Sequence, residues 1–259
     1  MRPTGCVGAV LLLSVLCAAA SADTENLEQF LKNCEAATQV SVPLRGDGHL
    51  EVDASGGTPT TGTKGMAAVM IVRPPTDIYF ELREPGFKAV LLAQGSAYRV
   101  AAGVAKAEPF AAEGLLGASD FAREDIEPFQ RSHFTGWRIS DENANEVTVM
   151  LFPSHSAYSL EVITFDREKF LPLKTLYYRD TMNNLVKMRR DSNYVLIGRK
   201  WMPETISMET FKLRTHSTLA LHWTQGPDFP PELFDPVFLP RLFAPAPASV
   251  TPAAMPRSE

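Results

Sequence analysis

The chain is short of cysteine, and most of what it has lies at its start. Of three cysteines, Cys6 and Cys17 fall in the first 22 residues and Cys34 stands alone beyond them. Once those residues are removed, no second thiol remains, so the fold cannot rest on an internal disulfide. The short motifs of common catalytic sites are also missing. There is no His-Glu-x-x-His, no Gly-x-Ser-x-Gly, no phosphate-binding glycine loop and no paired-Cys metal knuckle. The five histidines, His49, His133, His155, His216 and His222, are scattered. His216 and His222 share one face of a strand candidate but lie about 20 Å apart, too far to share a metal. Ser154-His155-Ser156 follows Pro153 and reads as a hairpin turn, because neighbours on an extended chain point to opposite faces. Asp120 and Asp125 read as a helix cap and an exposed helix residue, not as an acid/base pair. These absences predict no enzyme, no cofactor and no metal site.

Basic clusters and long apolar runs are scarce too. No second run after the first 22 residues is long enough to span a bilayer. Acidic and basic residues are interspersed, which disfavours nucleic-acid binding. At the start, Arg2 precedes an apolar stretch from Val7 to Ala20, and Ala20-Ser21-Ala22 offers the small residues a signal peptidase reads. A cleaved signal peptide over 1–22 is therefore expected, with export to the periplasm as a soluble protein. The rival readings are a membrane anchor, for which the run is short, and lipidation at Cys17, for which Val15-Leu16 is a poor lead-in. Losing Arg2 from the 25 Lys and Arg leaves 24 against 30 Asp and Glu, a net charge of −6.

What is present is mostly strand. After one amphipathic helix, with Asp23-Thr24 as cap and Leu27, Phe30, Leu31 and Cys34 on one face, the period changes to two. On that helix Cys34 reads as a small buried hydrophobe. Strand candidates are His49–Val52, Ala67–Val72, Asp77–Arg83, Lys88–Ala93 and Ala97–Ala101. They resume with Trp137–Ser140, Glu146–Phe152, Tyr158–Phe165, Leu173–Arg179, Leu185–Arg189, Tyr194–Ile197, Thr205–Phe211 and Thr218–Trp223. Sharp turns such as Arg73-Pro74-Pro75-Thr76 and Met182-Asn183-Asn184 separate them. Connections this short predict antiparallel hairpins and a meander. Between the two groups, Ser119 to Phe129 reads as a capped helix anchored by Phe121 and Ile126. Nine of the twenty prolines lie between Pro227 and Pro256. Pro231–Phe238 reads as a short helix, and 243–259 as a disordered Pro/Ala-rich tail. The expected organisation is a signal over 1–22, one domain over 23–242 and that tail.

Several strands alternate apolar and polar residues, so one face of the sheet is expected to be buried or to line a cavity. The candidate cavity-lining, lipid-binding residues are Ile78, Phe80 and Leu82 on one strand and Val147, Val149 and Leu151 on another. Tyr177, Met188, Met208, Leu221 and Trp223 complete the set. Flexible thioethers and aromatics suit a cavity that accepts variable acyl chains; the alternative is that they only fill a core.

One segment, Gly117-Ala118-Ser119-Asp120-Phe121-Ala122-Arg123-Glu124-Asp125-Ile126, resembles the small-x-Asp-Phe-x-x-x-Asp-aliphatic segment of outer-membrane lipoprotein-sorting proteins. These are relatives of the periplasmic lipoprotein carrier of the Lol type. Gly95–Val100, Leu151-Phe152-Pro153, Tyr178-Arg179-Asp180 and Arg199 to Met208, with its Trp-x-Pro-x-x-Ile-x-Met pattern, follow in the order of that family. The resemblance runs from about Leu27 to Leu242. It implies a mainly β (α+β) fold: an incomplete antiparallel β-barrel, or strongly curved sheet, with helices across its open side. It also implies a concave apolar face for acyl chains, no catalytic residues and no cofactor. The implied partners are a lipid or acylated lipoprotein, an inner-membrane transporter and an outer-membrane acceptor, with the chain itself a monomer. The expected function is a periplasmic carrier of lipid or lipoprotein. The alternative is an envelope sensor or scaffolding domain that binds a protein with the same fold.

Overall fold

The computed structural model describes residues 26–54, 65–84, 87–93, 95–101, 106–226 and 229–243. The expected signal peptide, the Asp23-Thr24 cap and almost all of the Pro/Ala-rich tail lie outside these residues. Helix α1 (26–38) is followed by thirteen strands in one antiparallel sheet. The first group is β1 (Leu44–Ala54), β2 (Met66–Arg73), β3 (Asp77–Glu84), β4 (Phe87–Ala93), β5 (Ser96–Val100) and β6 (Glu108–Pro109). The second is β7 (Phe134–Glu142), β8 (Glu146–Pro153), β9 (Leu160–Asp166), β10 (Pro172–Tyr178), β11 (Leu185–Ile197), β12 (Lys200–Thr210) and β13 (Thr215–Gln225).

The strand order is β6-β5-β4-β3-β2-β1-β13-β12-β11-β10-β9-β8-β7. The chain thus starts mid-sheet and meanders out to one edge. It crosses to the far edge through the insert 110–133, then meanders back until β13 pairs with β1 along Leu44↔Gln225 to Ala54↔Thr215. The edges β6 and β7 do not meet, so the barrel is incomplete, as the family resemblance implied, and its strands are antiparallel, as the short turns predicted.

Register places one row of side chains on the concave face. Across the centre it runs Phe80↔Met70, Met70↔Gly46 and Gly46↔Trp223, and continues through Leu219↔Ile206. Glycine is required at two of these positions. A Cβ on Gly46 would stand 3.1 Å from the Trp223 ring, and one on Gly48 would overlap the Ala220 carbonyl. At Gly198-Arg199 the φ angles are 55° and 69°, the two-residue turn that matches strand twist and joins β11 to β12.

Three expectations are corrected. The two strand candidates from Leu185 to Ile197 are one continuous strand. The insert is not an α-helix. It forms two short 3-10 turns, Arg123–Ile126 and Arg131–His133, with extended backbone around them. Glu127 precedes Pro128 and is extended (φ −70°, ψ 143°), which stops the first turn. Finally, the outer face of β2–β4 is not open to water. Ile71, Tyr79 and Leu91 are buried there beneath Phe234 and Leu239 of the C-terminal turns Pro231–Phe234 and Leu239–Phe243.

Helix α1 lays its apolar stripe on the concave face of the second group. Leu27, Leu31 and Cys34 are buried against Val147, Val149, Leu151, Ile163 and Phe165. Burial pushes the Cys34 thiol far above its ordinary range, as expected of an inert packing residue. Phe129 of the insert joins the same cluster and stacks on Phe134, with centroids 5.7 Å apart. Arg131 binds Glu35 of α1 at 3.0 Å. Helix and insert therefore cover the opening together.

Candidate functional site

Between this cover and the sheet lies a cavity of about 600 Å³, within the size range of small-molecule sites. One wall is apolar, formed by Val40, Met70, Val72, Ile78, Ile206 and Trp223. The opposite wall is polar, formed by Glu161, Thr175, Tyr177, Arg189, Asp191 and Tyr194 from β9–β11. The insert closes the space with Arg123, Glu124, Ile126 and Glu127.

Two buried carboxylates hold the insert down. Asp120 accepts bonds from Thr215 and from Ser217 Oγ (2.7 Å) at the start of β13, and its N–H donates back to Ser217 Oγ at 2.9 Å. Asp125 is fully buried. It accepts from Lys187 Nζ at 3.0 Å, Tyr158 Oη at 3.1 Å and the Ala122 N–H at 2.6 Å. Arg189 donates to the Asp125 carbonyl and forms a forked pair with Asp191 at 2.7 and 2.8 Å. Burial works against the Arg189 charge, but Asp191, with Tyr177 and Tyr194, outweighs it and holds the guanidinium protonated. The Tyr158 and Tyr177 phenols are raised by burial first and by Asp125 next. Burial also raises Glu124, against a bond from Ser156 Oγ of 2.6 Å, and raises Glu127 against Arg123. The Glu161 carboxyl is pushed up to about 8, by desolvation first and by Glu124 and Asp125 after it.

The residues singled out from sequence divide four ways. Ile78, Tyr177 and Trp223 line the cavity. Phe80, Leu82, Met208 and Leu221 lie on the same face, in the cluster that buries Phe110, Leu116 and Phe121 of the insert. Val147, Val149 and Leu151 lie beneath α1. Met188 is a correction: it sits between Lys187 and Arg189, whose side chains turn inward to the insert, so it points to the outer face. A second correction concerns Asp120 and Asp125, which are buried anchors and not a helix cap and an exposed residue. Sequence reasoning also missed the polar wall. The signal was there, since the inward positions of β9–β11 are Glu161, Thr175, Lys187, Arg189 and Asp191. Ser154-His155-Ser156 does form the turn between β8 and β9. Among the described residues no three His, Cys, Asp or Glu side chains converge for a metal ion, and no helix is long and apolar enough to cross a membrane.

A family model described as "-like: Uncharacterized protein" matches residues 108–241, just over half of the chain. The chain belongs to that family. The match spans the insert and the whole second group of strands, so the insert and the polar wall lie within it, whereas α1 and β1 to β5 do not. No curated protein matches the sequence. Among solved structures, the chain is similar to an outer membrane lipoprotein-sorting protein domain from Vibrio parahaemolyticus. The TM-score is 0.66 at 16% identity, covering 82% of this chain and 97% of that one. A LolA superfamily protein from Nitrosomonas europaea gives 0.63 at 15% identity, covering 80% and 96%. A DUF1329 family protein from Desulfovibrio piger gives 0.55 at 13%, also covering 80% and 96%. The fold is that of the Lol-type proteins, as the sequence motifs implied.

Proposed function

We propose that this protein is a periplasmic carrier that shelters the acyl chain of a lipid or lipoprotein in the cavity. One observation carries the reading: a cavity of about 600 Å³ with an apolar wall, closed by a segment that side-chain bonds hold more than a strand ladder does. Each methylene buried there would contribute about 0.8 kcal/mol. Opening of the insert would break the Asp120 and Asp125 contacts and the packing of Phe110, Leu116 and Phe121 but leave the sheet pairings intact. The same fold in a lipoprotein-sorting domain supports the reading. The signal-like start supports delivery to the periplasm. The test is to purify the protein from the periplasm, extract it for mass spectrometry and titrate it with a fluorescent fatty-acyl probe. Co-purifying lipid and displaceable probe are expected. Absence of both would overturn the proposal.

A second reading, a domain that binds a protein, is favoured by the free edge of β7, a nine-residue strand whose outer backbone groups meet no other strand among the described residues. Pull-down of one envelope protein at fixed ratio, lost on Thr135→Pro but kept when the cavity is filled, would favour it over carriage.

A further inference from the structure

The cavity is lopsided in charge. Glu161 points into it from β9, and among the described residues no hydrogen bond or ion pair reaches its carboxyl group. Glu124 faces the same space from the insert. One of its oxygens accepts from Ser156, and the other is buried without a partner. Of the nearby cations, Arg189 is engaged with Asp191 and the Asp125 carbonyl, Lys187 with Asp125, and Arg123 with Glu127 through its Nη1, while the Arg123 Nε is buried without a partner. The Glu124 oxygen buried without a partner costs folding free energy, and Glu161 is half-buried with its carboxyl open to the cavity, so two carboxyl groups beside an apolar wall need a reason.

Resting on the carrier reading, we infer that the bound amphiphile carries a primary ammonium at its polar end, seated against Glu161 and Glu124 while its chain lies on the Met70–Ile78–Trp223 wall. An ammonium brings three donors and a positive charge to the Glu161 carboxyl, which has no hydrogen-bond donor among the described residues, and to the unpartnered oxygen of Glu124. A carboxylate or phosphate head would meet two carboxyl groups and, for attraction, only the single Arg123 Nε–H rather than an open guanidinium fork. A hydroxyl would satisfy one acceptor without charge.

The groups facing Glu161 also set a pH dependence. Glu124, Asp125 and Glu127 of the insert raise its pKa and Arg189 of β11 lowers it, with Tyr177 of β10 alongside. Glu161 titrates at about 8 when the cavity holds no cation. Below that pH an arriving ammonium must displace a proton, so its affinity rises with pH towards 8 and levels off above it.

The experiment compares dodecylammonium, dodecanol and dodecanoate, below their aggregation limits, by calorimetry and by fluorescence of Trp201 and Trp223, which line the cavity. Dodecylammonium is expected to bind at least about tenfold more tightly than dodecanol, with dodecanoate weakest. The ratio of amine to alcohol affinity should grow with pH in the wild type. It should fall towards one and become pH-independent in Glu161→Gln, an isosteric change that removes the titrating group. Glu124→Gln should lower the ratio in part. Dodecanol binding with no preference for the amine, or a ratio unchanged in both variants, overturns this inference and leaves the carrier reading standing. Failure of all three chains to bind overturns both.

Discussion

Asp125 shows what a single residue does in this molecule. Its carboxylate ties the insert to β11 through Lys187, to the β8–β9 turn region through Tyr158, and to its own turn through the Ala122 N–H. Removing one partner of a buried ion pair strands the other, at a typical cost of about 3–5 kcal/mol. Asp125→Ala should therefore lower the unfolding free energy by that much, seen as a lower urea midpoint without a change of slope. A loss below about 1 kcal/mol would show that the latch is solvated in solution. The sequence could not show this role. Asp-x-x-x-x-Asp inside a charged segment reads as a helix cap and a wet helix face, and its partner lies 62 residues away. Arg189 was missed for the same reason, its contact on the insert lying 64 residues away, and Glu161 because an inward charge on a strand looks like a broken apolar pattern until the cavity it faces is known.

Among the elements, β1 is the hub, paired along one edge with β2 and along the other with β13. Gly48 lets it approach β13 closely, and the obstacle to a larger residue there is backbone, which cannot turn aside. Gly48→Ala is expected to destabilise by about 1–3 kcal/mol through local strand separation, seen as a lower thermal midpoint and lost β1–β13 amide protection. Strand existence was legible almost throughout, because half-buried strands repeat every two residues and Pro, Gly and Asn mark their ends. The insert was not. Its capping residues spend their side chains on β13 and β11 rather than on helix ends, and Pro128 forbids continuation. Nor could the outer cover of β2–β4 be read. Phe234 lies far along the chain from Tyr79, and Arg73 stands 4.0 Å over its ring only once the sheet has formed.

In the whole molecule, stability and mobility are separated by construction. The sheet centre is held by ladders on both sides, whereas the insert forms no ladder with a neighbouring strand among the described residues and is held by buried side-chain bonds and by Phe110, Leu116, Phe121 and Ile126 packed on the concave face. Native-state hydrogen exchange should find β1, β2, β12 and β13 amides exchanging last, and 110–133 exchanging earlier by local opening. Equal protection in both regions would contradict a movable cover.

The sequence by itself determined that this is a chain of antiparallel strands with an amphipathic helix and apolar inward stripes, because periodicity and turn chemistry act over a few residues. It also carried the family motifs from which the open barrel was expected. Only the tertiary structure decided which inward residues meet empty space and which meet α1 or the insert. It alone showed that the concave face carries the charges of Glu161, Lys187, Arg189 and Asp191 on β9 and β11, and that Asp120 and Asp125 are anchors. Those outcomes depend on pairings between residues far apart in the chain, where the cost of burying a charge is offset only by a partner that folding brings to it.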